Sequence, residues 1–148
     1  MTEVDTSAVR DSLVESYPGV VDAVRECAAA AATDATDDAG RTDTSAVRRG
    51  IESRLRSVGV WGDLPSVLAG CVERTGRRLR ATPVAAPPYV APTATGVVLR
   101  ATLDGGRLVV AVDALSVERE RADGTGVELQ SRPPETPRVD LVCVEWRS

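Results

Sequence analysis

Apolar and polar residues alternate in two neighbouring segments in the second half of the chain. In residues 97–103 and 107–112 one apolar set recurs at every second position, and Asp104-Gly105-Gly106 lies between the segments. A period of two places alternate side chains on opposite faces of a β-strand. Asp-Gly or Gly-Gly supplies the positive φ that a tight turn requires. The pattern therefore predicts a β-hairpin.

The register of this hairpin stays open at the level of sequence. A loop of Asp104-Gly105 pairs Leu99 with Val110, whereas a loop of Gly105-Gly106 pairs Leu99 with Val112. Both registers keep the same apolar face, so the pattern does not choose between them.

Apolar residues recur at helical spacing in the first 80 residues and predict four helices. The stripe of the fourth helix runs as far as Leu79, and the helices are separated by Pro-Gly, Gly-rich and acidic breaks. Residues that favour helix starts mark where each one begins. The predicted starts or caps are Thr6 or Ser7, Pro18, Thr44 or Ser45, and Asp63.

The hexapeptide Asp-Thr-Ser-Ala-Val-Arg occurs twice, at residues 5–10 and 43–48. Each copy precedes an aromatic residue, a break and a helix that carries a cysteine, which is compatible with an ancient duplication. The alternative is that both copies are simply good helix starts.

The remaining elements complete an α+β fold. Four prolines in residues 81–95 predict a buried, extended crossover, residues 127–129 a short strand, and residues 138–147 a central strand covered on both faces. We expect one domain, with a helical half (1–80), the Pro-rich crossover (81–95) and a sheet half (96–148). About four N-terminal helices then pack on one face of a three- to five-stranded antiparallel sheet. The predicted core includes Val24, Cys27, Ile51, Leu55, Leu68, Val72, Leu99, Val110, Val112, Leu141 and Cys143.

Composition narrows the source and the possible chemistry. All 18 basic residues are Arg, the chain has no Lys, Asn, His or Phe, and its net charge is −4. A G/C-rich genome explains part of this bias, and an acidic, Lys-free surface also suits a salt-rich cytoplasm, so a halophilic source is favoured over an ordinary high-G/C bacterium. Without His or Lys, the chain lacks a Ser-His-Asp triad, Schiff-base chemistry and a P-loop.

Cysteine usage and the N-terminus predict a cytoplasmic protein. Cys27, Cys71 and Cys143 are far apart in sequence, form no Cys-x-x-Cys motif and lie among apolar residues. We therefore expect reduced, buried thiols and no structural zinc, other metal site or cofactor. The first five residues are acidic, unlike a signal peptide, and no segment is apolar enough to span a membrane.

The charge is unevenly distributed and suggests a partner face. Residues 45–80 carry eight Arg against three acids, whereas residues 1–44 carry three Arg against ten acids. The basic helices can pair with the protein's own acidic helices, bind an acidic protein, or face nucleic-acid phosphates in a winged-helix arrangement with the hairpin. The candidate face for a partner or nucleic acid comprises Arg74, Arg77, Arg78, Arg80 and Arg107.

The runs LRATPVAAPPYV and GVVLRATLDGGRLVVAVDALSVER, within Leu79 to Arg119, resemble an uncharacterised small-protein family of halophilic archaea. The resemblance covers about a quarter of the chain. It implies no activity, cofactor or site residue, and it supports only the halophilic interpretation.

The leading functional hypothesis is a non-enzymatic cytoplasmic interaction protein, with a homodimer through an open sheet edge or another protein as the partner. A winged-helix-like DNA-binding regulator is second. A carboxylate-dependent enzyme is third, because scattered acids near strands follow no fixed motif. Those acids are Asp104, Asp113, Glu118, Glu120 and Asp140.

Overall fold

The computed structural model describes residues 3–120 and 126–148, without the side chains of Arg119 and Glu120. It confirms the α+β class, because helices pack against antiparallel sheets. The helices are α1 (Thr6–Ser16), α2 (Pro18–Asp34), α3 (Thr44–Ser57), α4 (Leu64–Thr75) and the short α5 (Arg138–Leu141). The strands are β1 (Val90–Pro92), β2 (Gly96–Leu103), β3 (Gly106–Asp113), β4 (Leu115–Glu120), β5 (Val127–Ser131) and β6 (Val142–Arg147).

The main sheet has the strand order β1-β2-β3-β6 and is antiparallel throughout, while β4 and β5 form a separate two-stranded sheet. The hairpin β2-β3 adopts the first of the two open registers, with Leu99 opposite Val110 and Asp104-Gly105 as the loop. Gly105 has a φ of 88°. Gly106 is a strand residue, and a Cβ there would lie 2.5 Å from the Arg147 carbonyl oxygen, so the glycine lets β6 approach the hairpin closely.

Alternate residues of the main sheet face the helices. In β2 and β3 the inward set is almost fully buried, and α1, α2 and α4 contact this side of the sheet. One hydrophobic core cluster joins helices and sheet. Ten of the eleven predicted core residues are buried: Val24, Cys27, Ile51, Leu55, Leu68, Val72, Leu99, Val110, Val112 and Leu141.

The predictions for the last strand were wrong in two respects. β6 is not central, because among the described strands it pairs with β3 alone and lies at the end of the sheet order. Cys143 is exposed rather than buried, because Val142, Val144 and Trp146 form the inward-facing set of this strand. Leu141 is buried, but as the last residue of α5 instead of a strand residue. The alternation therefore starts at Val142, and its odd-numbered positions face outward.

Two aspartates cap the helices that begin at the repeated hexapeptide. The Asp5 carboxylate accepts a hydrogen bond from the Ala8 amide at 3.0 Å, and Asp43 accepts one from Ala46 at 3.1 Å. The cap of α1 is therefore Asp5, not Thr6 or Ser7, while α3 begins at Thr44 as predicted. Capping alone accounts for both copies. Helix α1 packs on α4, and α2 packs on α3. Exchanging the two units, α1-α2 and α3-α4, would preserve these contacts, as a duplication would also predict. Duplication therefore stays a hypothesis.

Helix α4 ends earlier than its apolar stripe predicts. Gly76 adopts a left-handed φ of 73° and terminates the helix after Thr75. Leu79 therefore leaves the helix and forms an isolated antiparallel bridge with Leu103. Asp63 precedes the helix, but its side chain makes no capping hydrogen bond.

The Pro-rich crossover lies along the sheet edge and is more exposed than predicted. Val84 is 54% exposed, so the expected burial of this run was wrong for its first part. Its last part forms β1, which pairs with β2, and the Trp61 indole donates to the Ala85 carbonyl at 3.2 Å. Hydrogen bonds to its backbone and the burial of Val90 at its end therefore hold the crossover against the fold.

The capping bonds yield a stability prediction. Asp43→Ala should lower the free energy of unfolding by about 1 kcal/mol, because the Ala46 amide loses its acceptor. Asp63→Ala is the matched control and should change it by less than about 0.5 kcal/mol. Urea unfolding in molar KCl measures both. Equal losses in the two variants would contradict this account of the caps.

The three thiols should differ sharply in reactivity. Burial raises the pKa of Cys71 to about 12 and also raises the pKa of Cys27, whereas Cys143 is exposed. Because the thiolate is the nucleophile, one thiol per folded chain should react rapidly with a maleimide and two more only after unfolding. Mass spectrometry of labelled peptides identifies the site, and Cys143→Ser should remove the rapid phase. Rapid labelling of Cys71 in the folded protein would refute the placement of these thiols.

Candidate functional site

Two arginines of the β2-β3 hairpin lie on the sheet face that points away from the helices. Arg100 follows the buried Leu99, and Arg107 precedes the buried Leu108. Because alternate strand residues point to opposite faces, burial of the two leucines places both arginines on the outer face. Both side chains are exposed. The hairpin therefore supplies two positive charges to one surface.

Strand β6 adds a third arginine to this face. Arg147 lies directly opposite Arg107 in the antiparallel register. Like charges at opposed positions of neighbouring strands destabilise a sheet. The Glu145 carboxylate accepts a hydrogen bond from Arg147 at 2.9 Å, which offsets part of this repulsion.

The segment after α4 contributes the fourth arginine. The bridge between Leu79 and Leu103 holds this segment against the edge of β2. Arg80, the next residue, forms an ion pair with Asp104 of the hairpin loop at 3.6 Å. The left-handed turn at Gly76 is what directs the chain from the helix to the sheet here.

The four arginines line two adjoining clefts of about 360 and 540 Å³. Arg80, Arg107 and Arg147 contribute to both clefts, and Arg100 contributes to the smaller one. We call the surface formed by Arg80, Arg100, Arg107 and Arg147 the arginine groove. Thr102 also lines both clefts, and the smaller cleft includes Leu79, Ala81, Pro88, Tyr89 and Ala101.

The side chains of the groove carry an excess of positive charge. Four guanidinium groups against the two carboxylates that pair with them, Asp104 and Glu145, leave a side-chain charge of +2. All the paired side chains are at least half exposed, so water screens these ion pairs and an incoming anion can compete with them. Among the described residues, Arg100 and Arg107 have no ion-pair partner.

The predicted face is only partly assembled. Arg80 and Arg107 line the same clefts, but Arg74 lies in the last turn of α4, and neither it nor Arg78 lines the two clefts. Arg77 contacts the hairpin loop and β6. Its guanidinium donates to the Asp104 carbonyl at 2.7 Å and lies 4.7 Å from the centre of the Trp146 ring.

Sequence reasoning missed two residues of the groove. Arg100 could have been found, because either hairpin register places it on the polar face of β2. Arg147 could not, because its proximity to Arg107 depends on the pairing of β3 with β6, which is distant in sequence.

The other chemical candidates do not converge. Among residues 3–120 and 126–148, no group of three or more Cys, Asp or Glu side chains could hold a metal ion. Asp113 accepts a hydrogen bond from the Thr95 hydroxyl at 2.7 Å, Glu118 accepts one from Ser116 at 2.7 Å, and Asp104 faces Arg80. Asp140 is exposed on α5, and the Glu120 side chain lies outside the described part.

None of the described helices is long and apolar enough to cross a membrane. Helix α4, the second of the two basic helices, packs against α1 and β2 and buries five residues. Its exposed positions include Ser66, Glu73 and Arg74. On the other basic helix, Arg54 pairs with Asp34 of α2, as expected if the basic and acidic helices pair within the chain.

Residues 7–142 match the model of a protein family described as "Domain of unknown function (DUF7988)". No curated protein and no solved structure matches the chain.

The different positions of the neighbouring arginines lead to a stability prediction. Arg77→Ala should lower the free energy of unfolding by about 1–2 kcal/mol, because it removes the hydrogen bond to Asp104 and the contact with Trp146. Arg78→Ala, at an exposed position, should change it by less than about 0.5 kcal/mol. Chemical unfolding followed by circular dichroism compares the two. If Arg77→Ala were as stable as Arg78→Ala, the contacts of Arg77 with Asp104 and Trp146 would not stabilise the fold as expected.

Proposed function

The chain belongs to the DUF7988 family, a domain of unknown function, and from the geometry of its site we propose that it is a non-enzymatic interaction protein that binds an anionic partner through the arginine groove. One observation carries the proposal. Four arginines from three separate parts of the chain converge on the outer sheet face and the hairpin tip.

The charge distribution supports this function. The chain as a whole has a net charge of −4, so it repels anions except where positive charge is locally in excess. Anionic partners are then attracted mainly where the arginines converge. The opposed pair Arg107 and Arg147 adds a further argument, because a bound anion would relieve the repulsion between them.

The side-chain chemistry specifies the kind of group bound. A guanidinium presents several donors in a fixed plane and can engage a phosphate or carboxylate with two hydrogen bonds at once. All the cations of the groove are of this type, since the chain has no lysine. The proposed ligand therefore carries several phosphate or carboxylate groups.

The setting of the protein is also part of the proposal. The acidic, lysine-free composition and the free cysteines support the cytoplasm of a halophile. The core shared by helices and sheet supports a single domain. The edge of β6 with which no described strand pairs supports a homodimer as a further mode of association.

A winged-helix-like DNA-binding regulator is the second candidate. The observation that favours it is the approach of Arg80 and Arg107 beside the hairpin tip, where a wing contacts a DNA backbone. The packing of α4 against α1 and β2 weighs against it, since a recognition helix needs a free face.

Binding of polyanions tests the proposed function. We expect saturable binding of at least one labelled polyanion among heparin oligosaccharide, polyglutamate, single-stranded DNA and duplex DNA. Arg100→Gln with Arg107→Gln should weaken that binding about tenfold or more, because each lost guanidinium removes charge-assisted hydrogen bonds. Fluorescence anisotropy measures the affinity, first in molar KCl and then at lower salt while circular dichroism shows a folded protein.

The matched control replaces two exposed arginines of α3, Arg48→Gln with Arg49→Gln, which line neither cleft. This variant removes the same charge and should bind as the unmodified protein does. The proposal fails if no polyanion binds the folded protein at any salt, or if both double variants weaken binding equally.

A further inference from the structure

An aromatic ring borders the arginine groove. Tyr89 directly precedes β1, and its carbonyl accepts a hydrogen bond from the Arg100 amide at 2.8 Å, so the two residues are neighbours across the sheet. Val90 is fully buried on the helix side, whereas the neighbouring Tyr89 is only partly buried and packs against the core. Tyr89 and Pro88 line the smaller cleft together with Arg80 and Arg100. The groove thus combines guanidinium groups with one aromatic surface.

The strand register arranges these residues in a diagonal row. Tyr89 neighbours Arg100, whereas Arg107 and Arg147 lie two residues further along on the next two strands. With about 3.3 Å per residue and about 4.8 Å between strands, the Cα positions of Arg100 and Arg107 are about 8 Å apart. The same spacings place those of Arg107 and Arg147 about 5 Å apart, and the row from Tyr89 to Arg147 spans about 16 Å. A linear polyanion can follow such a row.

From this juxtaposition, and resting on the proposed function, we infer that the arginine groove binds single-stranded nucleic acid, with a base stacked on Tyr89 and the adjoining phosphates on Arg100, Arg107 and Arg147. Proteins that bind single strands without sequence preference combine a basic groove for the backbone with aromatic rings for the bases. In this groove, the Tyr89 ring and the short row of arginines fit a short stretch of single-stranded nucleic acid.

The dimensions argue against duplex DNA as the ligand of this face. The major groove is about 12 Å wide and admits a helix or a two-stranded ribbon. The four-stranded sheet is about 14 Å wide between its outer strands, before side chains are counted. A duplex could present only its phosphates to this face, because its bases remain stacked within the helix. Tyr89 would then have no partner.

An acidic peptide would satisfy only part of the groove. Its carboxylates can pair with the guanidinium groups, but a run of acidic residues offers no ring to Tyr89 and Pro88. Every nucleotide, in contrast, offers both an anionic group and a π-face. The cleft that contains Tyr89, Arg80 and Arg100 therefore favours nucleic acid over peptide.

The test compares three labelled ligands by fluorescence anisotropy: a single-stranded oligothymidylate, a duplex of equal length and polyglutamate. We expect the single strand to bind most tightly. Tyr89→Leu should weaken its binding about tenfold by removing the stacking ring, while leaving the weaker binding of polyglutamate unchanged. Tyr89→Phe keeps the ring and should bind the single strand as the unmodified protein does. If the Tyr89 hydroxyl had a structural role on which binding depended, Tyr89→Phe would instead bind as weakly as Tyr89→Leu.

The outcomes separate this inference from the proposed function. Loss of single-strand binding in Tyr89→Leu together with rescue by Tyr89→Phe supports the inference. Equal binding of all three ligands, or no effect of Tyr89→Leu in a protein that circular dichroism shows to be folded, overturns it and leaves the anion-binding function standing. If none of the polyanions binds, both fall.

Discussion

Burial of one face of the main sheet against the helices is the constraint on which the rest of the structure depends. Leu99, Leu108 and Val110 point inward and are almost completely excluded from water. Because side chains alternate along a strand, the same burial commits Arg100 and Arg107 to the outer face. A slip of one residue would place the arginines in the core and the leucines in water. The position of the arginine groove is therefore a consequence of how the core is packed.

A few polar contacts with the backbone hold the connecting segment against the sheet edge. Trp61 donates to the Ala85 carbonyl, Arg77 donates to the Asp104 carbonyl, and Leu79 bridges to Leu103. These contacts matter because the segment is largely exposed and little hydrophobic burial fixes its course. They bring Arg80 and Tyr89 to the strands that carry the other arginines. The site thus depends on a loop that is kept in place by hydrogen bonds and by only part of the core.

The strength of electrostatic attraction at the groove depends on the distance between the charges as well as on their sign. In molar salt the Debye length falls to about 3 Å, so attraction between separated charges is largely screened. Contacts at hydrogen-bond distance survive better, and planar guanidinium groups are suited to them. An arginine-only groove on an acidic chain is in this respect consistent with the proposed salt-rich setting. Intramolecular pairs at the surface, such as Arg80 with Asp104, are largely exposed to solvent and therefore weak, so a ligand can compete with them for the guanidinium groups.

Local patterns in the sequence determined the four N-terminal helices, the hairpin, its faces and ten of the eleven predicted core residues, because these follow from periodicity and from burial of apolar side chains. Arg100 was within reach of the same reasoning. The tertiary structure alone decided the hairpin register, because the sequence allowed two turns with the same apolar face. It also decided the edge position of β6 and the exposure of Cys143, since both depend on the pairing of strands that are distant in sequence. It also decided that the chain turns at Gly76, although the apolar spacing continues to Leu79. Arg80, Arg107 and Arg147 meet only because these non-local choices bring three separate segments to one face, and periodicity within a segment carries no information about such pairings.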